Sequence, residues 1–441
     1  IHAFISNSGS ATSTISHNTI TRNTGPSASA AKVYLLGSGV SFESNTITGN
    51  ISTDSDGSTL SLASPGSVSS TFTNNNISNN SGSGIFFRYP QSGSSLTVTN
   101  NTISNNSGSG VYAYISQKAV TITSSTITGN SGDGIYFDYA YSGSSLTVSD
   151  STISNNSGTG IRISNPQTAL AFTITNNTIV RNLGDGITGS GSCANCTINI
   201  TNNFIVDNSG YGVTAGVMPA INIRYNRIHN NTATNGSALY IRDGTPDSVP
   251  YRPFWGPDLY EYNTITGGDG TGSASLIVKH QGNPTIRNNN FVHKSETYLV
   301  YDNRYVGENA TFDFENNWWG TTDTTNLDAL IYDWNDDPTK EQVDFTPFLT
   351  APDTEAPPSP PSNVAAQTGP TSIAFSWDAN AEADITGYKL HWDTDAAGYP
   401  FANVIDLGNV TSHTLAGLTQ GTTYHIAVSA YDLGGDESWV S

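Results

Sequence analysis

Lys279, Arg287 and Arg304 are the residue types that could do acid–base chemistry on a charged polymer. Cleaving a uronic-acid chain needs a base, commonly Lys or Arg, and a cation to neutralise the sugar carboxylate. These three, with His280 and Lys294, could supply both. They fall between Arg224 and Arg304, a stretch holding 8 of the 16 Lys and Arg. It is the one part of the chain with enough positive charge for an anionic polysaccharide. Hydrolysis would instead need clustered carboxylates, and Asp243, Asp247, Asp258 and Glu261 lie in the same stretch. Residues 240–262 read as a long loop carrying Tyr251, Phe254, Trp255, Tyr260 and Tyr262. Long loops on rigid scaffolds often bind ligands. Metal chemistry is not expected. Cys193 and Cys196 have no second CxxC and no His pair at ligand spacing, so they read as a local disulfide or two quiet thiols. No carboxylate column recurs as a Ca²⁺-binding coil would require. No cofactor is expected.

The scaffold positioning these residues must be built from unusual material. The 441 residues carry a formal charge of −20 and only 12% charged residues, against about 25% in an average protein. Ser, Thr, Asn and 43 Gly fill the difference. Ser, Asn and Gly oppose helix interiors. So acidic a chain, with no basic cluster long enough to track phosphates, excludes a nucleic-acid partner. No stretch reaches the roughly 20 apolar residues of a membrane span, so membrane insertion is not expected either. The low Lys content points outside the cell. The chain opens at Ile1 within a repeat-like segment, which reads as a mature or trimmed product.

Asn-Asn-Thr-Ile-Ser-Asn-Asn-Ser-Gly-Ser-Gly-Val at 100–111 returns, with small changes, at 124–135, 150–161, 176–187 and 202–213. One apolar residue marks each copy: Ile20, Ile47, Ile77, Ile103, Ile127, Ile153, Ile179, Ile205, Ile228, Ile265, Phe291 and Trp318. Each clean copy holds three alternating runs, the sign of half-buried strands, separated by Gly, Asn and Ser turns. Three strands per coil, stacked about 4.8 Å apart, make a parallel β-helix of about twelve coils. Asn80, Asn106, Asn130, Asn156, Asn182, Asn208 and Asn231 form an equally regular polar column. It is expected to be structural, taking the left-handed backbone of a tight turn or stacking as an amide ladder.

The motif Asn-x-Ile-x-x-Asn-x-Gly-x-Gly-Ile resembles that of right-handed parallel β-helix repeat proteins of the secreted and surface type. The resemblance covers residues 1–349 and implies the fold. The family spans polysaccharide lyases, glycoside hydrolases, adhesins and carbohydrate-binding domains. Residues 277–291 are similar to the Lys-containing coil of alginate-type lyases, but their partner arginine motif is missing from the next coil, Tyr298–Tyr305. Residues 350–362 are a Pro-rich linker, read as a semi-rigid spacer. Residues 363–441 resemble a fibronectin type III domain through Trp377, Gly-Tyr-x-Leu with Tyr388, and Leu418-Thr-x-Gly-Thr-x-Tyr424. The fold class is therefore all-β, a β-helix followed by a small β-sandwich. The family's last strand should follow Trp439, so it is expected to be short or absent, leaving a sheet edge open to another chain.

Alternation places Phe86, Tyr112, Tyr136 and Arg162 on the outside of the second strands, one above another, with Arg88, Tyr114 and Asp138 alongside. An exposed aromatic strip suggests a contact site for sugar rings or for a neighbouring subunit. Outward Thr pairs such as Thr97/Thr99 and Thr121/Thr123 give a further alternative, resembling ice-binding proteins. The expected function is an extracellular structural or adhesive rod, a stalk or filament subunit whose partners are itself and polysaccharide. The alternative is a polysaccharide lyase or glycoside hydrolase.

Overall fold

The structure is a computed structural model. It describes residues 2–6, 12–25, 31–36, 39–52, 60–63, 69–88, 94–114, 119–167, 169–191, 193, 195–216, 220–233, 238–242, 258–267, 274–279, 284–293, 296–304, 311–395 and 400–441. Among the described residues, three parallel sheets run along a solenoid, and their strands are counted over these residues. Sheet 1 has eleven short strands such as Thr102–Ser104 and Thr126–Thr128. Sheet 2 has thirteen, among them Val111–Tyr114 and Ile135–Asp138. Sheet 3 has eleven, among them Ala119–Thr123 and Ser145–Ser149.

Like residues stack in register, because each coil repeats its alternation one strand above the last. Ile103 pairs with Ile127, Val111 with Ile135, and Val98 with Ile122. All six are at most 1% exposed. Eleven of the twelve marker residues sit in sheet 1 strands. The twelfth is corrected: Trp318 makes only an isolated bridge to Asn290, and the side chain stacked on Phe291, at 4.7 Å, is Trp319.

The polar column is a hydrogen-bonded ladder. Asn156 Nδ2 donates to Asn182 Oδ1 at 2.9 Å and to the Ile127 carbonyl at 3.2 Å. Asn156 Oδ1 accepts from the Asn130 backbone and side chain, both at 3.0 Å. The left-handed backbone lies one residue earlier than expected, at Asn79, Asn105 and Asn155. A second ladder escaped the sequence reading. It runs through Asn75, Asn101, Ser125, Ser151, Asn177, Asn203, Asn226, Asn263, Asn289 and Asn317. Two ladders satisfy the buried polar groups at two of the three corners, which a core of Ile and Val alone could not do.

The solenoid's late coils close around Thr311–Asp313, which pairs with Gln342–Asp344, and a short helix, Thr324–Asp328, that buries Leu327. The C-terminal domain has two antiparallel three-stranded sheets around Trp377, Tyr388, Leu390 and Val428. In place of a last strand there is an isolated bridge. Glu437 bridges Tyr431, and the backbone N–H groups of Ser438 and Ser441 donate to Ala430 and Val428 at 2.8 and 2.9 Å. The terminal residues therefore line the edge strand His425–Asp432.

The Pro-rich stretch lies flat on sheet 1. Asp353 exchanges backbone bonds with the Asn290 side chain at 2.8 and 3.0 Å, and its carboxylate accepts from Asn288 at 2.8 Å. The Pro357 carbonyl accepts from Thr264. Further back along the solenoid, Arg227 Nη2 donates to Asp436 at 2.6 Å and its Nε to the Glu437 carbonyl at 2.8 Å. Trp439 then packs on Val180, Val206 and Phe204. The second domain is thus folded back beside the rod.

Candidate functional site

The outer face of sheet 2 carries the aromatic strip. Registry between Ile85–Arg88, Val111–Tyr114, Ile135–Asp138 and Ile161–Ser164 sets Phe86, Tyr112, Tyr136 and Arg162 in one column. The rings stack at 4.8 and 4.7 Å, tilted by 16° and 5°. Arg162 closes the column, 6.0 Å from the Tyr136 centroid. Its guanidinium is held by Asp133 at 2.8 and 3.1 Å. That hydrogen bond raises the Arg162 pKa further, against the opposing effect of burial. Burial and the Asp138 carboxylate push the Tyr136 phenol up. Beside the column Tyr114 meets Tyr112 edge-on at 6.3 Å and Tyr139 at 5.4 Å. Tyr139 is 41% exposed and Tyr141 47%. Sequence reasoning missed both, because they follow the strand and obey no alternation.

Sheet 2 carries a second aromatic run further along. Tyr240, Ile277, Tyr301 and Tyr332 share the outward column, with Tyr301 and Tyr332 stacked at 4.6 Å. Between the runs the column is polar: Thr188 and Thr214 both donate to Asp185, at 2.6 and 2.8 Å.

The three cations are not brought together. Lys279 ends the sheet 2 strand Ala274–Lys279, level with Arg242. Arg287 stands on sheet 3, bonded to Glu261 at 2.7 Å. Arg304 is corrected as a surface cation: it is 1% exposed, bonded through two nitrogens to Asp302, with its guanidinium 4.0 Å over Phe312. Tyr260 is corrected too, being fully buried in the core above Ile286. Tyr251, Phe254, Trp255, Asp243, Asp247, His280 and Lys294 lie outside the described residues. Asp258 accepts from the Ile221 N–H at 3.0 Å, and Glu261 is ion-paired to Arg224 and Arg287, so both carboxylates hold structure. Cys193 and Cys196 are bonded to each other in the core. Among the described residues no group of three His, Cys, Asp or Glu could hold a metal ion, and no helix could cross a membrane.

One corner varies along the rod. The residue after each sheet 3 strand has positive φ: it is Asn at 74, 100, 176, 202 and 288, and His17, Ser44, Ser124 and Asp150 in other coils. At 225 and 262 it is Tyr, with φ of 58° and 55°. The two rings stack at 5.3 Å and 7°. A left-handed bulky residue costs about 1–3 kcal/mol, and one stacked pair returns only about 0.5–1.5 kcal/mol.

The profile of the right-handed β-helix region matches residues 2–114 and 89–250, more than half of the chain. The fibronectin type III profile matches 359–441. An alpha-amylase of Niallia circulans is 33% identical over 102 residues, which are 22% of this chain and 7% of that enzyme. The chain thus spans a small fraction of that relative's length. Among solved structures, the tailspike protein of an Acinetobacter baumannii bacteriophage, a capsular polysaccharide depolymerase, overlaps 92% of this chain and 81% of its own. Its TM-score is 0.37 at 11% identity. A tailspike mutant of E. coli bacteriophage HK620, bound to a pentasaccharide, overlaps 97% and 86% with TM-score 0.31 at 10% identity. TM-scores this low carry no functional argument. Profile, stacked coils and terminal sandwich agree: the chain belongs to the right-handed β-helix family and ends in a fibronectin type III domain.

Proposed function

We propose that the protein is an extracellular structural or adhesive rod that contacts polysaccharide through the outer face of sheet 2. The observation that carries this reading is the aromatic strip Phe86–Tyr112–Tyr136 with Tyr114, Tyr139 and Tyr141 beside it. A soluble surface has little reason to hold so much aromatic area in one place unless something covers it. Pyranose rings suit it, because they pair an apolar face with hydroxyls that can meet Tyr136 and Arg162. The buried Cys193–Cys196 disulfide fits an oxidising compartment. The scattered positions of Lys279, Arg287 and Arg304 weigh against a lyase centre built from them.

The test is binding of the full chain to a panel of neutral and acidic polysaccharides. Replacing Tyr114 and Tyr139 together by Ala is expected to weaken binding about tenfold, the loss of an aromatic anchor. Unchanged affinity in that variant would remove the strip from the site. A second copy of the rod could cover the same strip. Electron microscopy across a concentration series separates the two: filaments lost on the same replacement would make the strip an assembly surface.

A further inference from the structure

We propose that the early coils carry N-linked sugars beside sheet 1, attached at Asn79, Asn100, Asn105 and Asn155. This rests on the extracellular part of the reading above and adds a covalent modification to it.

Asn-x-Ser/Thr is the acceptor sequence for such sugars, but in a chain so rich in Asn, Ser and Thr it recurs by composition alone. The structure separates one occurrence from another. Asn50 heads Asn-Ile-Ser, yet it is 0% exposed and donates to Asn80 at 2.9 Å inside the ladder. Asn230 heads Asn-Asn-Thr, and its amide donates to Asp207 at 2.7 Å. Asn79, Asn105 and Asn155 head Asn-Asn-Ser, one residue before the ladder, and Asn100 heads Asn-Asn-Thr. All four are exposed on left-handed corners, with φ of 54 or 55°. Among the described residues none of their side chains makes a hydrogen bond. The hydroxyl two residues on, at Ser81, Thr102, Ser107 or Ser157, is exposed or half-buried. Amide and hydroxyl are therefore both within reach of a transferring enzyme.

The turn itself does not call for Asn. Gly129, Arg181 and Asp207 take the same corner as Asn79, Asn105 and Asn155, with φ of 66, 56 and 54°. Nor is the pattern kept where the second domain lies. Val180 and Val206 pack with Trp439, and the corner residues next to them are Arg181 and Asp207. At the other corner Asn202 runs into Asn203 and Phe204, so the hydroxyl gives way to the ring that meets Trp439. Asn288 likewise runs into Asn290, which holds Asp353 of the linker. The acceptors flank the hydroxyl-bearing strands of sheet 1 and stop where protein covers the rest.

Each attachment joins the Asn Nδ2 to the anomeric carbon of a sugar. The bond from that carbon to a lipid-linked pyrophosphate breaks, the pyrophosphate leaves with the electron pair, and the amide gives one proton to the enzyme. The donor is thus a lipid-linked sugar pyrophosphate, and nothing is oxidised or reduced.

The full chain, recovered from outside the cells of its native source, is digested and mapped by mass spectrometry. Sugar is expected on Asn79, Asn100, Asn105 and Asn155, and not on Asn50 or Asn230. S107A and S157A, made in the same source, keep every Asn. They are expected to lose the sugar at Asn105 and at Asn155 respectively, with the other acceptors unchanged. Sugar retained there would overturn the assigned linkage. Four bare acceptors in the secreted chain would overturn the proposal and leave the extracellular reading standing. Equal modification of Asn50 and Asn230 would overturn it too, since exposure would then not select the acceptors. A chain found only inside the cell would overturn both.

Discussion

The outer face of sheet 1 differs between its early and late coils. Early coils present small hydroxyls to solvent, Thr102 and Ser104, then Thr126 and Thr128. Late coils present Val180, Phe204, Val206 and Arg227, and the terminal segment of the second domain lies on them. Beneath both halves the interior is the same, an Ile column flanked by amides. The inward positions are fixed by the stack, and the outward ones are free to record what covers them. Arg227 is the clearest case. It is 5% exposed, stacked 4.9 Å from the Phe204 ring, and bonded to Asp436 and the Glu437 carbonyl.

The largest expected effect tests the claim that the halves differ only outside. Asn130→Ala lies in a bare coil and Asn182→Ala in a covered one. Each strands the amide and N–H of the preceding ladder residue, so each is expected to cost roughly 2–4 kcal/mol. Urea unfolding of both would check this, and a large difference would mean that the covering domain reaches into the core. Trp439→Ala comes next. It should weaken docking by roughly 2–3 kcal/mol, read as an increased radius of gyration in solution scattering with the solenoid still folded. An unchanged radius would show that Arg227 and the linker hold the domain alone.

The inward side of this comparison was legible in the sequence and the outward side was not. A one-residue slip would turn every Ile outward, so the columns through Ile103, Val111 and Val98 could be read from alternation alone. The second amide ladder was hidden because Ser125 and Ser151 interrupt its Asn, two residues ahead of each marker. That same offset would have chosen Trp319 over Trp318, since Asn317 is the ladder residue. The fold-back was obscured by composition, as Pro-rich sequence suggests a spacer whether or not it is strapped down. Its sign was Val180 and Val206 where earlier coils have Ser or Thr. The aromatic strip followed from alternation, whereas Tyr139 and Tyr225 sit at turns. The proposed cation group failed because neighbours in sequence face different sheets.

Acid should separate the halves more gently. Burial pushes the Glu437 carboxyl up, but hydrogen bonds with His391, Lys389 and Ser429 outweigh it and hold the pKa at about 2, against an ordinary 4.5. A depressed folded pKa stabilises fully above 4.5, and that contribution is lost as pH falls from 4.5 towards 2. Lys389 and His391 face the carboxylate from the strand Ile385–Asp393, on the far side of His425–Asp432, while Arg227 holds the same residue's carbonyl from the solenoid. Protonating Glu437 therefore loosens the segment that carries Trp439. Scattering across that pH window should show the domain lifting before the coils unfold. Glu437→Gln should remove the part of the transition that belongs to this group.

The smallest effect is the sharpest test of what the outward positions encode. Thr128→Val in a bare coil removes a half-buried hydroxyl that accepts from Ser154 at 3.0 Å and should cost about 1 kcal/mol of solenoid stability, with no effect on docking. Val206→Thr is the reverse exchange under Trp439. It places a hydroxyl at a position that is 0% exposed and packed among Val180, Phe204 and Trp439. Without a partner that hydroxyl should cost about 1–3 kcal/mol of docking. The two variants make opposite exchanges between nearly isosteric side chains at equivalent places on one sheet. Equal responses would mean that Val and Thr are interchangeable there and that the change in composition along sheet 1 says nothing about the covering domain. Unequal responses, confined to docking, would tie the composition of each coil to what lies on it.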